Sequence, residues 1–254
     1  MAQVKMETGR TWLNELKAPS RLGHKNEAYY KTEKEALNQK NYTYESLSIS
    51  EKIIYDKLKK MVRNYTDKEL LDKIQEIKNF KGIPNEYWLL GVRSKKDITD
   101  TFDDKIYVYY GSIFKAVLKA TTNPGKVYLK GGFKKYNKEG VAVLKSDYWH
   151  YDCWKFGLHR GKMEALRQAN DMPYYRDGDL DGKSEEIGKL YTGKIGLNFH
   201  GSTYRRGVDI QREAIGSWSA GCQVAADNLV YREVIKLFKE AKQSYFSYCL
   251  INEF

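Results

Sequence analysis

The 254-residue chain has few cysteines, few prolines and no long apolar run. Cys153, Cys222 and Cys249 form no CxxC pair, which argues against a disulfide framework and a structural zinc site and leaves at least one thiol free. The longest uncharged apolar-rich run, residues 106–114, is too short to cross a bilayer. The N-terminus has neither the apolar segment nor the cleavage site of a secretory signal. We therefore expect a protein that is made in a cytoplasm, has no transmembrane segment and is not exported by a signal peptide.

The net charge of +11 comes from 44 basic and 33 acidic residues. The excess is spread along the chain, with no polybasic run and no nucleic-acid-binding motif. A diffuse positive charge favours encounter with anionic polymers, but a lysine-rich solvated surface accounts for it without specific nucleic-acid binding. The apolar content of 41% and the 21 tyrosines predict a folded globular protein rather than a disordered one.

The first third of the chain predicts helices. Residues 1–47 are polar and lack sustained periodicity, as in an extended arm. Ser48 with Glu51, and Thr66 with Glu69, are spaced as capping boxes ahead of apolar stripes, and they predict a helix hairpin that ends at residues 82–84. This hairpin could pack on the following domain or dock a partner. We therefore divide the chain into a helical region, 1–85, and a second domain, 86–254.

From Tyr87 onward the pattern becomes that of a β-rich domain. The runs at 87–92, 105–118, 126–129 and 141–144 are rich in Tyr, Val, Ile and Phe and predict strands. Helical periodicity returns at 161–170 and at 228–242, where Asp227 is placed to cap the last helix. The predicted class is α+β, with a helical arm and helix hairpin followed by a β-rich domain.

Two short segments carry chemistry. His200-Gly201 ends an apolar run, and Ser219-Ala220-Gly221-Cys222 reads as a tight turn. A thiol nucleophile needs such a turn, a nearby base and backbone amides that face the developing oxyanion. Gly221 would let the backbone pass close to a bound carbonyl. A histidine paired with the thiol would lower its pKa from about 8.5 and supply thiolate at neutral pH.

An HG dipeptide followed downstream by SxGC is the signature of the L,D-transpeptidase (YkuD-like) catalytic domain, so residues 86–254 resemble that family of bacterial cell-wall enzymes. The segments 103–106, 121–125 and 156–162 resemble those of related proteins carried by tailed bacteriophages. The resemblance leaves residues 1–85 unaccounted for.

The resemblance implies a mechanism. Cys222 would attack a carbonyl of the peptidoglycan stem peptide, and His200, oriented by the Gly201 carbonyl, would act as base and then as acid. Ser219 would support the turn, and the amides of Gly221 and Cys222 would hold the oxyanion. Water or an amine would resolve the thioester, giving hydrolysis or transfer. The family needs no metal or cofactor for these steps.

The chain departs from the family pattern at two positions. Ala220 stands where the family commonly has histidine, and Val224 where it commonly has arginine or asparagine that holds the substrate. Other side chains would have to bind substrate here. The candidates are Gln223, Arg205, Arg206, Arg212, Asn228, Trp218 and His159. The arginine-rich loop 201–218 could form a lid.

A weaker signal lies at Asp177, Asp179 and Asp181, whose alternate spacing with Gly182 resembles the start of a calcium loop. The glutamate expected at the twelfth position is absent, because that residue is Gly188. We therefore favour a solvated acidic turn over a calcium site.

The function implied is cleavage or transfer of peptidoglycan stem peptides through an acyl-enzyme. Without a signal peptide, such an enzyme would reach the wall by lysis, by a dedicated channel or inside a virion. This suggests a protein made in a bacterial cytoplasm that is phage-encoded or virion-associated and contacts other virion proteins through residues 1–85. One alternative is a structural tail component whose enzyme-like domain is inert. Another is a cysteine peptidase that acts on protein.

Overall fold

The computed structural model describes residues 63–206 and 208–254, together with Ile49 and Lys52. This part of the chain is a mixed α/β structure with eleven strands and few helices, none of which is long and apolar enough to span a membrane. The elements are α1 (Asp67–Gln75), β1 (Tyr87–Arg93), β2 (Asp104–Tyr110), β3 (Ile113–Thr121), a π-helical segment (Tyr128–Gly132), β4 (Val141–Leu144), β5 (Tyr148–His159), β6 (Met163–Gln168), β7 (Met172–Asp177), β8 (Tyr191–Gly193), β9 (Phe199–Gly201), β10 (Gln223–Ala225), α2 (Asn228–Ala241) and β11 (Phe246–Asn252).

Eight strands close into a barrel in the order β1-β11-β5-β6-β9-β10-β3-β2, and β4, β7 and β8 form a separate three-stranded sheet. Two neighbouring pairs in the barrel are parallel, β1 with β11 and β9 with β10. Closure leaves the barrel without free strand edges. The β9–β10 pair is connected by the long segment 202–222, which includes the predicted turn at 219–222.

The two helices cover opposite faces of β1, which explains why this strand is buried along its whole length. On one face, Trp88 packs against Trp149, and the Trp149 indole donates a hydrogen bond to the Ile74 carbonyl of α1 at 2.9 Å. On the other, Tyr87 packs edge-on against Phe238 of α2. An unbroken apolar run such as that of β1 is typical of a strand enclosed on both sides.

The capping box predicted for α1 is confirmed. The Thr66 hydroxyl accepts from the Glu69 amide, and the Glu69 carboxylate accepts from the Thr66 amide. Leu70 and Ile74 of this helix are fully buried in the same core as the barrel strands. The helix therefore packs on the β-rich part of the chain. The predicted arm lies outside the described residues, and so does most of the predicted first helix of the hairpin, of which Ile49 and Lys52 are described.

The helix predicted near the C-terminus is also confirmed. The Asp227 carboxylate accepts from the amides of Leu229 and Val230 and caps α2. Its apolar face, including Val234 and Phe238, lies in the main core. The helix ends at Lys242, which adopts a left-handed conformation.

Two local predictions are wrong. Residues 126–129 do not form a strand; the amides of Tyr128 and Leu129 donate to the Gly125 carbonyl, and the chain coils into the π-helical segment. The periodic stretch 161–170 is not a helix but contains β6, paired antiparallel with β5. Its Glu-Ala-Leu sequence favours a helix locally, but pairing with a twelve-residue strand satisfies its backbone and buries Met163 and its neighbours, which overrides that propensity.

Ile74→Ala is expected to lower the free energy of unfolding by about 2–5 kcal/mol, because it removes a fully buried side chain and leaves a cavity. Urea denaturation measures this change. Lys68→Ala is the matched control on α1, since the Lys68 side chain is 84% exposed, and its effect should stay within about 0.5 kcal/mol. Equal stability of the two variants would contradict the packing of α1 on the barrel.

Candidate functional site

The parallel pairing of β9 with β10 brings the two predicted catalytic residues together. His200 is in register with Val224, and Cys222 immediately precedes β10, where the Gln223 amide donates to the Asn198 carbonyl at 2.8 Å. Side chains alternate along strands, so Cys222, Val224 and His200 share one face of the pair. The opposite face of β9 meets Tyr231 of α2.

The hydrogen bonds of His200 fix its tautomer. Its Nδ1 lies 2.8 Å from the Gly201 carbonyl oxygen, which can only accept, so Nδ1 carries the proton. Its Nε2 is buried and has no hydrogen-bond partner in the described part of the chain. Burial lowers the pKa of His200 to about 3, assisted by the charge of Arg160 and by the repulsion that a proton on the neighbouring His159 would exert. His200 is thus a neutral imidazole with a free lone pair on Nε2, oriented by the carbonyl expected from the sequence.

Cys222 is 9% exposed, and its Sγ donates to the Gly196 carbonyl at 3.3 Å rather than to His200. Burial raises the pKa of the Cys222 thiol to about 11, against the opposing effects of a backbone hydrogen bond at Asn198 and the charge of Arg160. The prediction of a partly exposed thiol with a lowered pKa is therefore wrong for this structure. Both the thiol and the imidazole are neutral, because a water-poor site disfavours separated charges.

Ser219 holds the turn before the cysteine. Its buried hydroxyl donates to the Cys222 carbonyl at 2.7 Å and accepts from the Gly221 amide at 3.2 Å. The supporting role expected of Ser219 is present in this geometry. The Gly221 amide, however, is committed to Ser219 rather than free for an oxyanion. The Cys222 amide, by contrast, does not donate to the Ser219 hydroxyl.

Both predicted glycines are required by close packing. Gly221 has φ +109°, and a Cβ there would lie 2.5 Å from the Ala142 carbonyl oxygen of β4. A Cβ at Gly201 would lie 2.8 Å from the Tyr231 ring. Larger residues at either position would push the small sheet or α2 away from the site.

The structure corrects two substrate-binding candidates. Gln223 is fully buried, accepts from the Tyr248 hydroxyl at 2.9 Å and donates to the Gly221 carbonyl. Asn228 is also fully buried, and its amide donates to the carbonyls of Arg205 and Val208. Neither side chain is available to a substrate, because both are used to hold the loop and turn around the site.

The remaining candidates border Cys222 to different degrees. Trp218 packs against the small cluster that contains Cys222, and the Arg212 guanidinium lies 5.5 Å from the centre of its ring. His159 stacks on His200 with ring centroids 4.0 Å apart. Arg205 and Arg206 are exposed on the loop. The segment 201–218 therefore places Trp218 against the cluster that contains Cys222 and Arg212 over the Trp218 ring.

The predicted calcium carboxylates do not converge. Asp177 accepts from the Glu185 amide, Asp179 from the Asp181 amide, and Asp181 from the Lys183 amide. The described residues contain no group of three or more His, Cys, Asp or Glu that could hold a metal ion. The segment is an acidic turn whose side chains bond its own backbone.

Arg160 was missed by the sequence analysis. It lies at the β5–β6 turn with φ +49°, an unusual conformation for a residue other than glycine. Its positive charge acts on the pKa values of His159, His200 and Cys222. The Arg-Gly pair after a strand was the available signal, since such turns need positive φ at both central residues.

Comparisons with protein-family models, with curated proteins and with solved structures find no match. What the site can do is therefore argued from its own geometry. It combines a buried thiol, an imidazole with a free acceptor nitrogen, a backbone amide next to the sulfur, and cationic side chains at its border.

The alkylation rate of Cys222 in the substrate-free protein is expected to rise about tenfold per pH unit from about pH 7 to about pH 10, because only the thiolate reacts and the pKa is about 11. Mass spectrometry after timed iodoacetamide treatment measures it. Cys222→Ser supplies the background from Cys153 and Cys249, which are buried with raised pKa values. A rate that levels off below about pH 8 would show that the thiol is activated without substrate.

Proposed function

We propose that the β-rich part of this chain is a cysteine acyl-transfer domain of the L,D-transpeptidase type that cleaves or transfers peptidoglycan stem peptides. The observation that carries this proposal is the state of His200. Its Nδ1–H donates to the Gly201 carbonyl, and its Nε2 has no hydrogen-bond partner in the described part of the chain. His200 lies in β9, which pairs with β10, the strand that Cys222 immediately precedes. This is the arrangement of a general base that serves a thiol.

In the proposed reaction, Sγ of Cys222 attacks the substrate carbonyl carbon while its proton passes to Nε2 of His200. The carbonyl oxygen gains the negative charge, and the Cys222 amide donates to it. The C–N bond then breaks, the His200 imidazolium returns the proton to the leaving amine, and a thioester remains. Water or a second amine attacks the thioester with His200 again as base, which regenerates the thiol. The neutral starting pair fits proton transfer that is concerted with attack.

The border of the site supports a substrate that carries carboxylates. Trp218 and Tyr204 pack with ring centroids 5.3 Å apart, and the Lys162 ammonium lies 5.9 Å from the centre of the Tyr204 ring. The Arg212 guanidinium lies over the Trp218 ring of this aromatic pair. Cations beside aromatic surfaces suit acidic peptides, because the rings contact the chain while the charges pair with carboxylates.

This border would replace the substrate contact that the family commonly makes two residues after the cysteine. Val224 is fully buried in the small apolar cluster with Cys222, Phe102 and Ile215, so it cannot hold a carboxylate. Arg160 is the exposed cation whose charge acts on both Cys222 and His200. We assign it the anchoring role for the anionic end of the substrate.

A structural role for an inert domain is the second candidate, and it has its own supporting observation. The Cys222 thiol is buried, bonded to Gly196 and far from ionisation at neutral pH.

For either function, the phage-like segments favour a phage-encoded protein that is present in virions or acts at the cell wall. Mass spectrometry of purified virions that fails to find the chain would contradict virion association.

Incubation with muropeptides is expected to give cleaved or cross-linked stem peptides, and Cys222→Ala or His200→Ala should lower the rate by at least about a hundredfold. Mass spectrometry of the products also identifies the scissile bond. Cys249→Ala, which removes a thiol at a distance from the site, is the control and should keep the rate. Intact muropeptides after incubation with the folded wild-type protein would favour the structural role.

Arg160→Gln is expected to raise KM about tenfold or more for a stem peptide with a free carboxylate and to leave KM for its amidated form nearly unchanged, because a charge-assisted hydrogen bond is lost. Steady-state kinetics on both peptides measure the difference. Lys155→Gln removes an exposed charge elsewhere on the β5–β6 hairpin and should affect neither peptide. An equal change for the two peptides would rule out carboxylate anchoring by Arg160.

A further inference from the structure

Two buried histidines stack on each other beside the thiol. The rings of His159 and His200 have centroids 4.0 Å apart and planes inclined by 26°. His159 is the last residue of β5, and His200 is in β9, so the contact depends on the tertiary structure. Like charges at this separation repel strongly, particularly in a site with little water. The pair can therefore accommodate one extra proton but not two.

Asn198 determines which ring remains neutral. Its Oδ1 accepts from the Gln168 backbone amide at 2.8 Å, and because a backbone amide can only donate, the orientation of the Asn198 amide is fixed. Its Nδ2 then lies 3.0 Å from Nδ1 of His159 and donates to it. Nδ1 of His159 must hold a lone pair, so the neutral ring carries its proton on Nε2.

The two rings are thus held in opposite tautomers. His200 has its proton on Nδ1 and a free Nε2, whereas His159 has its free nitrogen already occupied by the Asn198 donor. Protonating Nδ1 of His159 would place its N–H against the Asn198 amide, which is also a donor. Protonating Nε2 of His200 would break no hydrogen bond. The charged side chains that act on His159 are Arg160 and Arg167, and both oppose a positive charge on that ring.

We propose that His159, kept neutral by Asn198, is a positioning residue that ensures that Nε2 of His200 takes up the proton that the Cys222 thiol releases in acyl transfer. The inference rests on the proposed function, since it concerns the same proton. A neutral ring stacked on His200 can face the transient imidazolium without repulsion, whereas a charged His159 would prevent His200 from taking the thiol proton.

The tautomers provide a test that does not depend on activity. Long-range ¹H–¹⁵N spectra of the imidazoles, assigned with His159→Phe and His200→Gln, are expected to show an Nε2–H signal for His159 and an Nδ1–H signal for His200. Neither ring should titrate between about pH 5 and about pH 8. An Nδ1–H tautomer or an imidazolium at His159 near pH 7 would overturn the proposal, whether or not muropeptides are cleaved.

Asn198→Asp tests the role itself. The new carboxylate can still accept from the Gln168 amide, but it draws a proton to Nδ1 of His159 instead of donating to it. The titration of His159 is expected to move above about pH 6, and the rate of stem-peptide turnover at pH 6, relative to that at pH 8, should fall about tenfold. Asn170→Asp adds the same charge at an exposed position outside the stack and should change neither. An unchanged ratio in a protein whose His159 has become charged would overturn the proposal.

His159→Phe in the Asn198→Asp background removes the group that would hold the charge while keeping an aromatic ring against His200. Turnover at pH 6 is expected to recover toward the wild-type ratio, with thermal unfolding confirming that the double variant is folded. A persistent loss would show that the introduced carboxylate acts by another route, which contradicts the role of His159. If the wild-type protein turns over no stem peptide, the proposed function fails while the tautomer measurement still decides the state of the stack.

Discussion

The hydrogen bond from the Gln223 amide to the Asn198 carbonyl, within the parallel β9–β10 pair, is the interaction on which the site depends. It fixes a register in which Cys222, the residue before β10, lies beside Asn198, the residue before β9. The thiol of Cys222 therefore lies on the same face of the strand pair as His200. Parallel strands need a long connection. Here the connection is the segment that carries Trp218, Arg212 and the turn at Ser219, so the same topology that aligns the two side chains also places Trp218 against the apolar cluster that contains Cys222.

Burial is the second constraint, and it decides the charge state of the site. The thiol and both histidines lose most of their contact with water, which raises the pKa of Cys222 and lowers those of His159 and His200. Each shift favours the neutral form. The proposed acyl-transfer site would therefore not hold a thiolate before substrate binds; it would depend on hydrogen bonds that fix the positions of protons, such as those of Gly201 and Asn198.

The structure gives a physical reason why Val224, which departs from the L,D-transpeptidase pattern, does not suit substrate binding. Val224 belongs to a small apolar cluster behind Cys222, so that position contributes packing rather than recognition. In the proposed function, positive charge comes instead from two other segments, with Arg160 and Lys162 at the β5–β6 turn and Arg212 on the segment between β9 and β10. Substrate specificity would therefore come from a turn and a loop outside the barrel strands, where side chains can change without disturbing the barrel.

Local features of this protein were predictable from the sequence. The capping box at Thr66, the N-cap at Asp227 and the long apolar strands could be read directly, because each depends on neighbours within a few residues. The sequence pattern misjudged β6, whose helix-forming residues are held extended by β5, and it placed substrate contacts at Gln223 and Asn228, which are buried. The three-dimensional fold sets the pKa of Cys222, the nearness of Arg160 and the stacking of His159 on His200. Burial and contacts between distant strands set these properties, and no pattern along the chain encodes them.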